Sequence, residues 1–185
     1  MKGSFCLPAL VLVVFAVGCA GPDSPTAPSV SPGVAGFGAT ASQSSQSVPF
    51  KGSFEGSQTL TPGTPPFGTV NGSATGTGTH VGKFTVTFPH TVNFVTRTGV
   101  GTYTFTAANG DTLTATFTGA AQGAPLVSIV EHATVTGGTG RFEGATGTFT
   151  VERQFNQLTG ATEGSFAGEI SSVGSAKLQV RRGRG

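Results

Sequence analysis

The alternation of apolar and polar side chains, from Val48 onward, is the feature that most constrains the fold of this chain. A period of two places successive side chains on opposite faces of a strand and does not fit a helix. Threonine and glycine are abundant whereas leucine and lysine are scarce, which is typical of a β-protein. The pattern predicts an all-β fold and excludes all-helical and doubly wound α/β folds. In the clearest run, one face carries Phe84, Val86, Phe88, His90, Val92 and Phe94.

Further alternating runs divide the chain into about eight strands joined by short turns. They lie near residues 50–60, 69–79, 103–107, 113–117, 126–135, 149–155 and 165–171. Eight antiparallel strands close into a barrel whose interior is filled by side chains or holds one small ligand. An eight-stranded antiparallel β-barrel is therefore predicted, with a two-sheet β-sandwich as the alternative. Residues 126–135 are apolar on both faces, so we expect a neighbouring element or subunit to cover this strand.

The first residues have the pattern of a bacterial export signal. Lys2 precedes an apolar run from Leu7 to Val17, about half the length that crosses a bilayer. The run ends in Ala-Val-Gly before Cys19, which resembles the lipobox of bacterial lipoproteins and implies lipidation of Cys19. Residues 1–18 are thus predicted to be a lipoprotein signal peptide. The protein is expected to be exported and lipid-anchored in the cell envelope, at the outer membrane or cell surface; ordinary cleavage and secretion is the alternative.

Composition divides the remaining chain into three parts. Residues 19–48 are rich in Pro, Ser and Gly and nearly uncharged, which predicts a disordered tether. Residues 49–175 form the predicted barrel domain, and residues 176–185 form a short basic tail. The net charge of +2 is a property of this tail. Because no basic face interleaved with aromatic residues runs across the domain, a nucleic-acid partner is not expected.

Residues 137–147, Gly-Gly-Thr-Gly-Arg-Phe-Glu-Gly-Ala-Thr-Gly, form the most distinctive motif of the chain. The glycine spacing does not give G-x-G-x-x-G, and a strand follows rather than a helix, which argues against a nucleotide-binding loop. We interpret the motif as a tight turn between two strands, with Phe142 folded back as a plug. Its backbone is set by the glycines Gly137, Gly138, Gly140, Gly144 and Gly147.

The same string resembles the turn of plant dirigent proteins and allene oxide cyclases, where Gly-Gly-Thr/Ser-Gly and a Phe precede an alternating strand. Over about residues 49–174 the chain is most similar to bacterial proteins with an allene oxide cyclase barrel-like domain. The resemblance implies a calycin-like eight-stranded barrel, often a homotrimer, with an apolar cavity for a lipid-derived or phenolic molecule. No polar residue of the cyclases matches a position here, so no catalytic residue is assigned.

Four polar residues share the parity of apolar positions and are candidate ligand contacts in a barrel: His90, Tyr103, Glu131 and Arg153. Glu131 and Arg153 lie on successive strands and are predicted either to pair inside, fixing the orientation of a ligand, or to lie solvated near the barrel ends. His90 is interpreted as a hydrogen-bonded structural residue or a ligand contact. The predicted cavity walls are Phe84, Phe88, Phe105 and Phe117.

The sequence predicts neither a metal nor a cofactor. His80, His90 and His132 lack the spacing of metal ligands, and Cys6 and Cys19 are the only cysteines. Three functions remain open. The leading hypothesis is an exported lipoprotein whose barrel binds a small apolar molecule without turnover. The alternatives are an isomerase or cyclase acting on a lipid-derived or phenolic substrate, and a structural envelope protein with a solid barrel core.

Overall fold

The computed structural model describes residues 46–171. The predicted signal peptide, Cys19, nearly all of the predicted tether and the basic tail lie outside the described residues. Within them, one 3₁₀ turn, Gly140–Phe142, lies between the seventh and eighth strands. The strands are β1 (Ser47–Pro62), β2 (Phe67–Gly78), β3 (Gly82–Thr87), β4 (His90–Asn93), β5 (Thr98–Ala107), β6 (Thr112–Gln122), β7 (Leu126–Gly138), β8 (Gly147–Asn156) and β9 (Ala161–Ser171).

The strands form one closed antiparallel barrel. β3 and β4 lie end to end between β2 and β5, so nine strands fill eight positions around the barrel. β1 pairs with β9 on one side and with β2 on the other, which joins the two edges of the sheet. The predicted eight-stranded barrel is therefore confirmed, and the β-sandwich alternative is wrong.

The barrel has two unlike ends, which we call the closed end and the mouth. At the closed end the described chain enters at Ser47 and leaves at Ser171, and these two residues pair with each other. The segment between β7 and β8 lies there too, since the Ser171 N–H donates to the Thr146 carbonyl at 2.7 Å. The mouth is formed by four turns, residues 63–66, 94–97, 123–125 and 157–160.

The run of residues 84–94, expected to be one strand with a bulge or an edge at Pro89, is interrupted in its middle. β3 ends at Thr87 and β4 begins at His90, with Phe88 and Pro89 between them. Proline has no N–H to donate to a sheet ladder. The neighbouring strands still bond to this segment, because the Thr102 N–H donates to the Pro89 carbonyl at 3.2 Å. The direction of the strand is kept, and Phe88 and His90 both remain buried.

Two further expectations about strands concern β9 and β7. β9 begins at Ala161, whereas its start was predicted near residue 165. The prediction was late because the first buried residue of β9 is the polar Thr162, whose hydroxyl donates to the Gln154 carbonyl at 2.9 Å. The outer face of β7 was expected to be covered. No element among residues 46–171 covers Leu126 and Val130, which are 51% and 42% exposed, and cover by a neighbouring subunit stays a prediction.

Aromatic side chains fill the half of the interior next to the closed end. Phe50, Phe105, Phe149 and Phe166 all contact one another, with ring centroids 4.7 to 6.0 Å apart. Such contacts add to the stabilisation from apolar burial. Phe142 of the 3₁₀ turn is 1% exposed and belongs to the same core. This half of the barrel is solid.

Candidate functional site

The half of the interior next to the mouth contains a cavity of about 170 Å³. Its walls are mainly apolar, and β1, β2, β4, β7 and β8 each contribute to them. The larger apolar side chains that line the cavity are Leu60, Val70, Val92, Phe94, Val127, Ile129 and Phe155. A concave, mostly apolar pocket with a few polar groups is the usual form of a small-molecule site.

Two turns at the mouth are tied together by an arginine. The Arg97 guanidinium donates to the Gly123 carbonyl at 2.7 Å, and the Ala121 N–H donates to the Arg97 carbonyl at 2.9 Å. These bonds join the turn of residues 94–97 to the end of β6 and to the turn that follows it. Arg97 and Ala121 also line the cavity, so this part of the opening is held in a defined shape.

The floor of the cavity is a buried ion pair between neighbouring strands. Arg153 on β8 donates to the two oxygens of Glu131 on β7, with Nη2–Oε1 at 2.9 Å and Nε–Oε2 at 3.0 Å. The side chains are 1% and 2% exposed, respectively. The third Arg153 nitrogen, Nη1, donates to the Gln58 amide oxygen at 2.7 Å. The guanidinium group is therefore held by side chains from two sides.

Tyr103 supports this pair from beneath. Its hydroxyl donates a short hydrogen bond to Oε2 of Glu131. Burial and the adjacent Glu131 charge raise the pKa of Tyr103 well above its usual value. Burial acts to lower the pKa of Arg153, but the hydrogen bonds and charge of Glu131 outweigh it, and the net pKa is raised. Tyrosine and arginine thus keep their protons, and Glu131 accepts from both.

His90 lies at the start of β4, beside this floor, and is 7% exposed. Its Nδ1 is 2.8 Å from the Phe88 carbonyl oxygen. Because a carbonyl only accepts, Nδ1 must carry the proton. Burial lowers the pKa of His90, and the Phe88 carbonyl and Glu131 offset this only in part, while Arg153 lowers it further. The ring is therefore neutral near pH 7, with a lone pair on Nε2.

Each of the three ionisable residues that line the floor lies opposite a glycine of the neighbouring strand. His90 pairs with Gly101, Glu131 with Gly119, and Arg153 with Gly164. A Cβ at these glycines would lie 2.3 to 2.5 Å from a side-chain carbon of the polar partner. Glycine is needed here for close approach, since the long polar side chains lean across the adjacent strand.

The structure brings His90, Tyr103, Glu131 and Arg153 together around one floor. Of the two predicted arrangements for Glu131 and Arg153, the internal pair is the one observed. The lining of this cavity includes neither Tyr103 nor the residues expected as walls, which are Phe84, Phe88, Phe105 and Phe117. Phe84 and Phe105 belong to the solid half. Phe88 lies under the Arg153 guanidinium at 5.2 Å, and Phe117 contacts the Tyr103 ring at 4.5 Å.

The motif of residues 137–147 is far from the cavity and shapes the closed end. Phe142 is buried as expected for a plug, and Gly137, Gly140, Gly144 and Gly147 have positive φ angles. Gly138 is instead crowded: a Cβ there would lie 2.1 Å from the Thr112 carbonyl oxygen. The motif is thus a structural turn and contributes no residue to the cavity lining.

Sequence reasoning missed Gln58, the amide that holds Arg153. It shares the parity of Phe50, Phe54 and Leu60 along β1, so the alternation pointed to it. Its burial to 8% exposure marks it as an inward polar residue. The apolar lining residues near the mouth were also missed, because alternation gives the face of a strand but not the height along the barrel axis.

The other histidines lie apart from this site. His80 and His132 are exposed, and within residues 46–171 the only hydrogen bond of the His132 ring is with the Thr150 hydroxyl, at 3.3 Å. Among residues 46–171, no three His, Cys, Asp or Glu side chains are grouped so as to hold a metal ion. Over the same residues the structure contains no helix that is long and apolar enough to cross a membrane.

No protein-family model matches the sequence, and no curated protein matches it either. Among solved structures, the chain is similar to the pterocarpan synthase dirigent protein GePTS1, with a TM-score of 0.53 and 18% sequence identity. The match covers 78% of this chain and 96% of that chain. At this level of identity the similarity shows the fold. The chain therefore has a dirigent-like barrel, as the resemblance of its turn motif implied.

Proposed function

We propose that the barrel binds a compact, mainly apolar molecule in the cavity at its mouth and orients it by a polar group, without converting it. The observation that carries this proposal is the cavity itself, about 170 Å³ of mostly apolar space that ends on a buried polar floor. Both Glu131 oxygens already accept hydrogen bonds from Arg153 or Tyr103. The floor is therefore built to position a ligand rather than to remove a proton with a free carboxylate.

The energetics of the floor support binding over a purely structural role. A buried ion pair adds little net stability, because desolvation offsets the attraction between the charges. A barrel filled with apolar side chains would be at least as stable. The solid-core alternative also requires a filled interior, whereas the half next to the mouth is hollow.

The size of the cavity sets the size of the ligand. An engineered apolar cavity of about 150 Å³ binds benzene. A cavity of about 170 Å³ therefore accommodates one six-membered ring with a small substituent. A longer molecule would extend through the mouth, past the apolar side chains of Leu60 and Phe94, which are 45% and 50% exposed.

Cyclohexanol is a suitable probe, since it has the right size and does not fluoresce. Tyr103 is the only tyrosine and the chain has no tryptophan, so protein fluorescence reports from directly beneath the floor. We expect a saturable change in this fluorescence on titration of the full chain. A ligand that binds only the folded state also raises the melting temperature. No saturable change in the wild type would contradict the proposal.

A matched pair of variants tests the location of the site. Ala121 lines the cavity, so Ala121→Phe should fill it with a ring and abolish cyclohexanol binding. Ala167 is exposed on β9 and outside this cavity, so Ala167→Phe should leave the affinity unchanged. Equal loss in the two variants would mean that cyclohexanol binds elsewhere.

We further propose that Cys19 anchors the chain in a membrane of the cell envelope. The support is the sequence of the first residues, since these lie outside the described part of the chain. The full chain, expressed in a bacterial host with an alkyne-labelled fatty acid, should take up the label. Cys19→Ser should lose the label, whereas the control Cys6→Ser should keep it, because Cys6 is removed with the predicted signal peptide. Labelling of Cys19→Ser would contradict the proposal.

A further inference from the structure

The unused hydrogen-bonding groups at the floor define what a ligand must present. His90 Nδ1 donates to the Phe88 carbonyl, so the remaining nitrogen, Nε2, is an acceptor. Among the described residues, no hydrogen bond reaches Nε2. The Cδ2 side of the ring, which also bears Nε2, is directed towards Gly99, and both Gly99 and His90 line the cavity. A ligand therefore meets one free acceptor at this position.

Gln58 provides the complementary donor. A guanidinium only donates, so the atom of Gln58 that contacts Arg153 must be its carbonyl oxygen. The amide nitrogen is left without a partner among residues 46–171, and Gln58 lines the cavity. Only β2 separates β1, which carries Gln58, from β4, which carries His90. The donor and the acceptor thus approach the floor from the same side of the barrel.

The charged pair leaves no site for a charged group at the floor of the cavity. Glu131 and Arg153 neutralise each other, and Tyr103 and Gln58 take up further hydrogen-bonding positions on them. At the floor, a carboxylate would face the lone pair of His90 and lose its hydration beside Arg153, whose charge is already paired with Glu131. Arg97, the other cation in the lining, lies in the turn of residues 94–97 at the mouth, away from the floor. Such uncompensated burial of a charge is strongly unfavourable.

We infer that the cavity selects a molecule whose polar end is a neutral hydroxyl group, which donates to Nε2 of His90 and accepts from the Gln58 amide. This inference rests on the proposed function, since it names the ligand class of the same cavity. A hydroxyl is both a donor and an acceptor, so it complements both free groups of the floor. A ketone satisfies only the Gln58 donor, and a hydrocarbon satisfies neither.

The test is calorimetric titration of the full chain with cyclohexanol, cyclohexanone and cyclohexanecarboxylate at pH 7.5. The alcohol and the ketone have nearly the same size and differ in the proton that His90 would accept. One buried hydrogen bond corresponds to about tenfold in affinity. We therefore expect cyclohexanol to bind about tenfold more tightly than cyclohexanone, and the carboxylate to bind more weakly than both.

The outcomes separate this inference from the proposed function. Equal binding of alcohol and ketone, or tighter binding of the carboxylate, would overturn the hydroxyl selection while leaving a binding cavity in place. Absence of binding by all three would overturn both. These outcomes need only the wild-type chain.

A variant assigns the selection to His90. His90→Phe keeps a flat ring and removes the acceptor, so the preference for alcohol over ketone should fall to less than about twofold. Gln58→Met is the complementary change and should weaken the alcohol and the ketone by similar factors. Retention of the full alcohol preference in a folded His90→Phe variant would contradict the role of His90.

Discussion

Glu131 and Arg153 hold each other where neither charge meets bulk water. Removing one partner of such a pair leaves a buried charge uncompensated, which costs about 3–5 kcal/mol. We expect Arg153→Met to lower the free energy of unfolding by about this amount. Adding Glu131→Gln removes the stranded charge and retains an acceptor for Tyr103. The double variant should therefore be more stable than Arg153→Met alone, as measured by urea unfolding at pH 7.5.

Additive losses from the two changes would contradict this expectation. They would indicate that Glu131 and Arg153 act independently and that their energetic coupling is small.

His90 makes stability depend on pH. Because burial lowers the pKa of His90 in the folded state below its ordinary value of 6.5, the unfolded chain takes up its proton first as the pH falls. The contribution is fully present above pH 6.5 and is lost as the pH falls from there towards the lowered pKa. Urea midpoints of the wild type should therefore fall from pH 7.5 to pH 5.

The same titration of His90→Asn provides the control. It retains the nearby Glu131, Arg153 and Arg97, so the difference between wild type and variant isolates the imidazole. An equal fall in both proteins would assign the pH dependence to other groups.

At this scale the sequence predicted the face of each polar residue but not its depth. Alternation placed Glu131, Arg153 and His90 on the inner side, and it left open whether the first two are paired or solvated. It could not separate the phenylalanines of the solid half from residues near the mouth, because all of them share inward parity. Depth depends on strand tilt and stagger, which are properties of the closed barrel.

Among the elements, the junction of β3 and β4 depends on a glycine of the strand beside it. The Phe88 ring lies over Gly72 of β2, and a Cβ there would come within 1.9 Å of the ring. We expect Gly72→Ala to lower the free energy of unfolding by about 1–3 kcal/mol, the usual penalty for overpacking. Gly99→Ala is the matched control, since its nearest neighbour would be 3.5 Å away. Chemical denaturation of the two variants makes the comparison, and equal losses would contradict it.

The boundaries of the elements show where sequence patterns are insufficient. Around Pro89 the alternation of apolar residues passes through unchanged, and only the proline, which lacks a ladder donor, indicates a bulge or an edge there. The start of β9 was missed because its inward residue is Thr162, whose buried hydroxyl is satisfied by the Gln154 carbonyl. Hydrogen bonding to a backbone carbonyl lets a polar residue take an inward position that an apolar pattern does not reveal.

For the whole molecule, the division into a solid half and a hollow half separates stability from binding. Leu113 is fully buried in the core and does not line the cavity. We expect Leu113→Ala to lower the free energy of unfolding by about 2–5 kcal/mol, as for other large-to-small core changes. Its affinity for cyclohexanol, measured well below the melting temperature, should match that of the wild type. A large change in affinity would mean that the two halves are coupled.

The class of fold was accessible from the sequence because alternation, short turns and abundant glycine all favour the same architecture. Closure of the sheet into a barrel could not be predicted directly from the sequence, since the same strands could have formed a sandwich. What decides it is the pairing of β1 with both β2 and β9. Pairing between residues far apart in sequence, such as Ser47 with Ser171, leaves no local signal.

The position of Ser47 and Ser171 side by side, opposite the mouth, has a practical consequence. An attachment made through either side of the described barrel joins it at the end away from the opening. A protein immobilised on a sensor chip by a tag at its amino or carboxyl side should therefore present the opening to the flowing solution. Attachment through the amino side and attachment through the carboxyl side should therefore give the same response to a ligand. This makes the barrel convenient for surface-based screening.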